Sequence, residues 1–527
     1  MASLSIPTPP ATRAAFANKW PIAFGVILGA VMELVDSSIV NVAFSQMSGN
    51  LGATIDEITW VAVGYILAAV IVLPMTGWLG ARFGRKRYYL SSVALFTAAS
   101  VLCGLATSLE GLVLWRIVQG IGGGALIATS QAILYESFPP GEKAMASALF
   151  GIGMMVGPAL GPTLGGIIVE RYSWPWIFLV NVPFGLLAFG LVAVYFRRDP
   201  PRAPDVGRAD ALGFVLLAVG IGALQFVLER GEHYDWLESR LIAALAVTAA
   251  AAMVTMVWWE LRTRTPVLDL RVFRHRSLTA ATVSASAVGM ALYGSVFALP
   301  LYMQSLLHYT AETAGWVLLP SAVASAVSML AAARLLKLVP ARWLVAAGTL
   351  VLASSMFMHG TLTTESGRHE MFWPVLLRGL GFGLIFVPIT TAAFVGLAPR
   401  EMPHGAALFN LARQLGGSIG IALVATQLTT ATARHRADLV EHLSASDPVT
   451  QAQLTGMTAQ FLPTSQDEPT AARRAIALLD RRVEAQAQML AYRDAFAFLG
   501  LVVLGSLPLV LLLRRPAATA ALPQDVH

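Results

Sequence analysis

Apolar runs of about twenty residues, the length that crosses roughly 30 Å of hydrocarbon as a helix, recur from one end of the chain to the other. They fall near 21–43, 58–80, 89–107, 112–134, 145–168, 176–196, 211–228, 241–259, 278–303, 314–336, 343–362, 372–397, 404–428 and 495–513. The runs lack the strict alternation of a strand and exceed a strand's length, so they predict helices. The reading is an all-α integral membrane protein of about fourteen spans. The segments between them are short, with one exception at 430–493. There, 470–492 reads as an Ala-, Arg- and Gln-rich helix, and the rest, with Pro448, Pro463 and Pro469, reads as irregular.

Charge orients the spans. Arg82, Arg85, Lys86 and Arg87 follow the second run, and Arg197, Arg198, Arg202 and Arg208 follow the sixth. Arg262, Arg264, Arg271, Arg274 and Arg276 follow the eighth, Arg334, Lys337 and Arg342 flank the turn after the tenth, and Arg514 and Arg515 follow the last. The loop after the first run carries no Lys or Arg and ends in Asp56 and Glu57. Cations concentrate on the cytoplasmic side of a membrane, so both termini are expected there, and the basic 430–493 loop is kept outside because a long loop can translocate despite its charge.

Composition agrees. Of 527 residues, 56% are hydrophobic and 13% charged, against roughly 25% charged in a soluble protein, too few to coat soluble domains. The net charge of +6 lies between spans, which suits membrane orientation better than a nucleic-acid stripe. Cys103 stands alone, which excludes an intramolecular disulfide. The histidines, His275 and His404 among them, have no metal-ligand spacing, so no metal is expected. The glycines at 120–124 follow no strand and precede no P-loop lysine, so no nucleotide is expected either.

The candidate chemistry is a set of polar residues inside apolar runs. Glu33 and Asp36 are three apart in the first and share a helix face. Two carboxylates held close in low dielectric resist double ionisation, so the pair can hold and release a proton. A structural acid paired to an arginine is the alternative. Intramembrane acids are costly and generally functional. Arg116 in the fourth run must face a cavity or a partner. Asn410, Arg413 and Gln414 share one face of the thirteenth run and either line a cavity or hydrogen-bond between helices. Tyr293 and Phe297 in the ninth either line an apolar site or pack. Arg116 precedes a glycine-rich stretch, as Arg378 does eight runs later. That offset suggests two six-helix halves, 21–196 and 278–513, separated by linkers and two inserted helices within 197–277, with tails at 1–20 and 514–527.

Several motifs resemble one family. Gly77-Trp78-Leu79-Gly80-Ala81-Arg82-Phe83-Gly84-Arg85 is similar to the loop signature of the major facilitator superfamily, with Ala81 where that signature has an acid. Arg116-Ile117-Val118-Gln119-Gly120 resembles its fourth-span pattern. Gly153, Gly157, Pro158, Gly161, Pro162 and Gly165 in the fifth run resemble the antiporter motif of drug exporters, and 174–185 resembles the segment entering their sixth span. Pro266 to Leu270 and Arg413 to Gly420 extend the likeness to fourteen-helix drug:proton antiporters, the EmrB/QacA-like branch, nearest EmrB. The resemblance implies the major facilitator fold, two six-helix bundles plus two inserted helices. It implies an inner-membrane, proton-coupled, alternating-access exporter of hydrophobic or amphipathic compounds, driven by the proton gradient without a cofactor. Asp36 would take the proton with Glu33 beside it, Arg116 would tune them, and Asn41, Gln119, Tyr293, Phe297, Arg378, Asn410, Arg413 and Gln414 would line the substrate cavity. It also implies a periplasmic (EmrA-like) adaptor and an outer-membrane (TolC-like) channel. A dedicated exporter of one metabolite, or a transport-inactive scaffold or sensor, stays open.

Overall fold

The computed structural model describes residues 18–196, 210–263, 266–398, 401–441, 443, 447–465, 467–510 and 513. Most of the tails expected at 1–20 and 514–527, the linker cations Arg197, Arg198, Arg202, Arg208 and Arg264, and Arg514 and Arg515 lie outside the described residues.

The chain is built from long helices: α1 Lys19–Ile39, α2 Trp60–Phe83, α3 Arg85–Gly104, α4 Leu109–Ser137, α5 Lys143–Arg171, α6 Trp176–Tyr195 and α7 Ala211–Arg230. After these come α8 Arg240–Arg262, α9 Arg276–Ser305, α10 Ala311–Leu335, α11 Ala341–His359, α12 Arg368–Ala393, α13 Met402–Glu441 and α14 Glu468–Gly505. Among the described residues, twelve helices are long and apolar enough to cross a membrane. α3 and α5, of 20 and 29 residues, pack among them. A helix satisfies its backbone internally, which hydrocarbon demands. The ends are tied locally, as where Ser108 Oγ accepts from Gly111 N and Thr310 Oγ1 from Thr313 N.

The pairings of the first six helices recur eight helices later. α1 packs on α5 as α9 packs on α13, and α2 on α4 as α10 on α12. α3 packs on α4 as α11 on α12, and α3 on α6 as α11 on α14. Two six-helix bundles result, touching mainly through α5 against α10 and α12, with α2 and α4 also meeting α13. The inserted α7 and α8 pair with each other, and α7 leans on both bundles, through α2 and α13. This is the major facilitator architecture. The turn from α2 to α3 runs through Gly84 at φ 89°, a conformation open to glycine and strained for other residues.

Close approach needs smooth faces. Gly153, Gly157, Gly161 and Gly165 form one edge of α5, and added Cβ atoms there would strike Ile27, Leu34, Ser38 and Ile39 of α1. The antiporter-like motif is thus the surface that seats α1, the helix carrying both acids. The side chains of Pro158 and Pro162 lie outside the described residues.

The helix expected at 470–492 is present, but the rest of the 430–493 segment departs from expectation. It is largely helical: α13 continues to Glu441, a separate helix spans Pro448–Phe461, and α14 runs from Glu468 into the last span without a break. Pro448 and Pro469 start helices here rather than interrupt them. Asp447 and Asp467 cap the two starts by accepting from Thr450 N and Thr470 N, at 3.0 Å each, and proline in a first turn costs no intrahelical bond. Arg436 joins the extension of α13 to Asp480 of α14 at 2.6 Å, and His435 Nε2 lies 2.8 Å from Asp494.

A Gly157→Ala substitution should lower stability by about 1–3 kcal/mol through overpacking against Leu34. Gly166→Ala, one position beyond the seating edge with nothing within 4 Å of an added Cβ, should leave it within about 0.5 kcal/mol. Thermal unfolding of the detergent-solubilised protein reads both.

Candidate functional site

Asp36 and Arg116 are both wholly buried and paired, Arg116 NH1 donating to Asp36 Oδ2 at 2.5 Å. The pair is held by further hydrogen bonds, although Arg116 NH2 is buried without one. Arg116 Nε donates to Val61 O of α2 at 2.9 Å, and its NH1 also donates to Gln119 Oε1 at 2.7 Å. Gln119 Nε2 donates to Asp36 Oδ1 at 3.0 Å, and Asn181 Nδ2 of α6 donates to the same oxygen at 2.6 Å. Ser100 of α3 accepts from both amides, at 3.1 and 3.0 Å. Five helices therefore converge on one carboxylate. A buried ion pair holds only when further hydrogen bonds satisfy its remaining atoms, and Asp36 meets that condition at both oxygens.

Glu33, one turn earlier, does not. Tyr65 of α2 donates its hydroxyl to Glu33 Oε1 at 3.2 Å, while Oε2 is buried with no partner. Tyr65 also carries the Arg116 guanidinium over its ring, 4.2 Å from the centroid. Tyr65 thereby joins the two acids through the cation. Glu33 is also within electrostatic reach of Arg413, on the opposite bundle.

Arg413 of α13 donates from NH1 to the Tyr293 hydroxyl at 2.8 Å, and its Nε is buried without a partner. Both line a cleft between the bundles with Met154 and Met155 of α5 and Phe382 and Phe386 of α12, enclosing about 370 Å³ of partly open atom-free space. Asn410 Nδ2 donates to Gln131 Oε1 of α4 at 2.5 Å and bridges the bundles directly. Arg378 is buried against two serine hydroxyls.

The sequence-expected residues thus separate. Tyr293 and Arg413 line the cleft. Gln119 is wholly buried in the Asp36 network instead of the cleft wall. Asn41 is exposed on the short turn Val40–Ala43, while Phe297 and Gln414 are half-buried beside the cleft residues. At the other interface, Gly77 of α2 comes against Pro403 and His404 of α13. Arg85 pairs with Glu136, Lys86 caps α6 by donating to Phe196 O at 2.6 Å, and Arg82 is half-buried. Sequence reasoning missed Tyr65, Ser100, Asn181 as a ligand of Asp36, and Gln131. The available signal was a polar side chain in a mostly apolar span, shared in α3 and α4 with several other polar residues.

Comparison with known proteins places these features in context. The family model described as Major Facilitator Superfamily matches residues 26–421. The multidrug export protein EmrB of Escherichia coli K12 is 34% identical over 440 residues, 82% of this chain and 86% of that protein. The fatty acid resistance protein FarB of Neisseria gonorrhoeae is 33% identical over 439 residues, 83% of this chain and 85% of that protein. Among solved structures, the proton:xylose symporter XylE superposes with a TM-score of 0.56 at 13% identity, covering 92% of this chain and 95% of that one. At that identity the likeness is one of fold.

Removing the Asn181 donor should cost about 1–3 kcal/mol, the range for a hydrogen bond to a buried charged group. Asn181→Leu is expected to lower the unfolding midpoint, and far less so when Asp36→Asn is already present. The double-mutant cycle in detergent measures that coupling; additive effects would contradict the shared carboxylate.

Proposed function

The chain belongs to the major facilitator superfamily, and on that premise we propose that it is a proton-coupled multidrug exporter, moving hydrophobic or amphipathic compounds by alternating access. The observation that carries the proposal is the acid centre of α1. Asp36 is bound by Arg116 and two amides, and Glu33 keeps one unmatched buried oxygen beside it. A proton bound at this centre removes a negative charge opposite Arg116 and weakens the electrostatic hold on α1. Because α1 is seated on α5, and α5 forms the main contact with the other bundle, a change at the acids is mechanically linked to the interface that must rock.

The cleft supports the substrate class. Two methionines and two phenylalanines offer an adaptable apolar wall, and Arg413 with Tyr293 supplies polar contacts. The relatives named for multidrug export and for fatty acid resistance fit the same class. A second reading, export of a single metabolite, draws on the latter name. Inhibition of dye export by many unrelated compounds favours the first reading, and inhibition by one chemical class the second. The location we assign is the bacterial inner membrane with both termini cytoplasmic, from the distribution of basic loops. The bundles at 21–196 and 278–513 would be the moving halves. The helical arm formed by the end of α13, Pro448–Phe461 and the start of α14 would meet a periplasmic EmrA-like adaptor leading to a TolC-like channel. The energy source is the proton gradient, with no cofactor.

Reconstitution into liposomes under an imposed pH gradient tests the proposal with a fluorescent hydrophobic dye as substrate. Wild-type protein should move dye only with the gradient. Asp36→Asn should reduce that flux by roughly two orders of magnitude, the scale of a lost proton-transfer group. Full gradient-driven transport in Asp36→Asn would overturn the assignment.

A further inference from the structure

The duplicated bundles place two arginines in equivalent surroundings and give only one of them a counter-charge. In the first bundle, Arg116 of α4 donates from Nε to α2, at Val61 O, and from NH1 to α1, at Asp36. In the second, Arg378 of α12 donates from Nε to Ser321 Oγ of α10 and from NH1 to Ser295 Oγ of α9, both at 3.3 Å. Since α10 and α9 pair with α12 and α13 as α2 and α1 pair with α4 and α5, each nitrogen reaches the corresponding helix. Where α1 offers a carboxylate, α9 offers a hydroxyl.

Among the described residues, nothing else in the second bundle supplies the missing charge. Arg378 is 5% exposed, and the buried acids among the described residues are Glu33, Asp36, Asp210 and Glu260, all outside α9–α14. The titratable group in electrostatic reach of Arg378 is His359, itself a base. An isolated cation in such a place costs several kcal/mol, an amount that two long bonds to neutral oxygens do not offset.

We propose that Arg378, Ser295 and Ser321 form a binding site for one monovalent anion, which supplies to the second bundle the charge that Asp36 supplies to the first. Arg378 offers guanidinium donors, and Ser321 accepts from it while its own hydroxyl proton remains available. The Ser295 hydroxyl, now donating to Leu292 O at 3.0 Å, can turn to a ligand. Leu292 and Val296, which flank Ser295, line the cleft between the bundles, as does Phe382, one turn along α12 from Arg378. The proposed site therefore lies next to the cleft, and an anion would enter from there. A chloride ion and the carboxylate of an organic molecule share the required chemistry. The inference is independent of the transport reading, because binding alone reveals it.

The test is the thermal unfolding midpoint of the full-length protein in detergent at constant ionic strength, with gluconate as a bulky, strongly hydrated background anion. Chloride is exchanged in stepwise, and in a separate series hexanoate. The expected result is a saturable rise of the midpoint in at least one series. A response to chloride identifies a small inorganic ion, and a response to hexanoate alone identifies an organic carboxylate; either supports the site. Arg378→Gln should remove the response. Ser295→Asp, which restores a carboxylate on α9, should raise the midpoint in gluconate and remove the response, so the proposal stays testable if Arg378→Gln does not fold. A wild-type midpoint indifferent to both anions, or a full response in Ser295→Asp, would overturn it.

Discussion

A charge that cannot leave hydrocarbon has to be answered inside the protein, and the Asp36–Arg116 pair is where this chain answers it. The pair does not hold by attraction alone, because desolvating both partners cancels much of what their attraction contributes. It holds because Gln119, Asn181, Ser100 and the Val61 carbonyl satisfy the second Asp36 oxygen and the Arg116 Nε, leaving Arg116 NH2 without a hydrogen-bond partner and the guanidinium over the Tyr65 ring. Together with Asp36 itself, these groups come from five helices, so the positions of α1, α2, α3, α4 and α6 are fixed relative to one another by one buried network. The packing follows the same centre. The glycine edge of α5 admits α1 at close range, and Gly120 and Gly124 of α4 do the same for α2 beside Tyr65 and Ala69. Small residues bring backbones close enough for short side chains to reach.

The repeated architecture makes the differences between the bundles informative. Pairings are preserved while chemistry is not: among the described residues, the first bundle concentrates its buried acids on α1, and the second keeps buried arginines on α12 and α13 without buried acids. Arg413 faces the first bundle, within electrostatic reach of Glu33, so the polar interior is complementary across the interface. The Asn410–Gln131 bridge adds a direct amide contact between the two bundles. Such contacts are suited to exchange, since a neutral amide pair separates at far less cost than an ion pair.

Much of this was legible in the sequence because hydrocarbon imposes a severe rule on it. Spans had to be long and apolar, so their approximate limits could be read from runs alone, and Glu33, Asp36, Arg116, Arg378 and Arg413 stood out as exceptions to the rule. The partners of those charges were harder to see. Tyr65, Asn181 and Gln131 are ordinary enough in apolar helices, and their importance comes from tertiary proximity over 32, 145 and 279 residues of chain. The arm beyond α13 was misread for another reason. Proline was taken as an interruption, but an aspartate just before it supplies the cap that makes it a start. Gln119 illustrates a third limit, since a polar residue on an inner helix can face a cavity or a neighbouring helix, and periodicity does not distinguish them.

The two acids on α1 began as a pair on one face and end as groups with different electrostatic standing. Asp36 has its charge balanced by Arg116 and its oxygens occupied. Changing its protonation therefore disturbs a network that also fixes the helix. Glu33 has one weakly held oxygen, one free one, and a cation across the interface in Arg413. A protonation change there disturbs little inside its own bundle and alters what it presents to the other. In alternating access the useful signal is one that reaches across the interface. On the reading proposed above, a proton at Asp36 changes how firmly α1 is held, while Glu33, linked to that centre through Tyr65, presents its own charge to the second bundle.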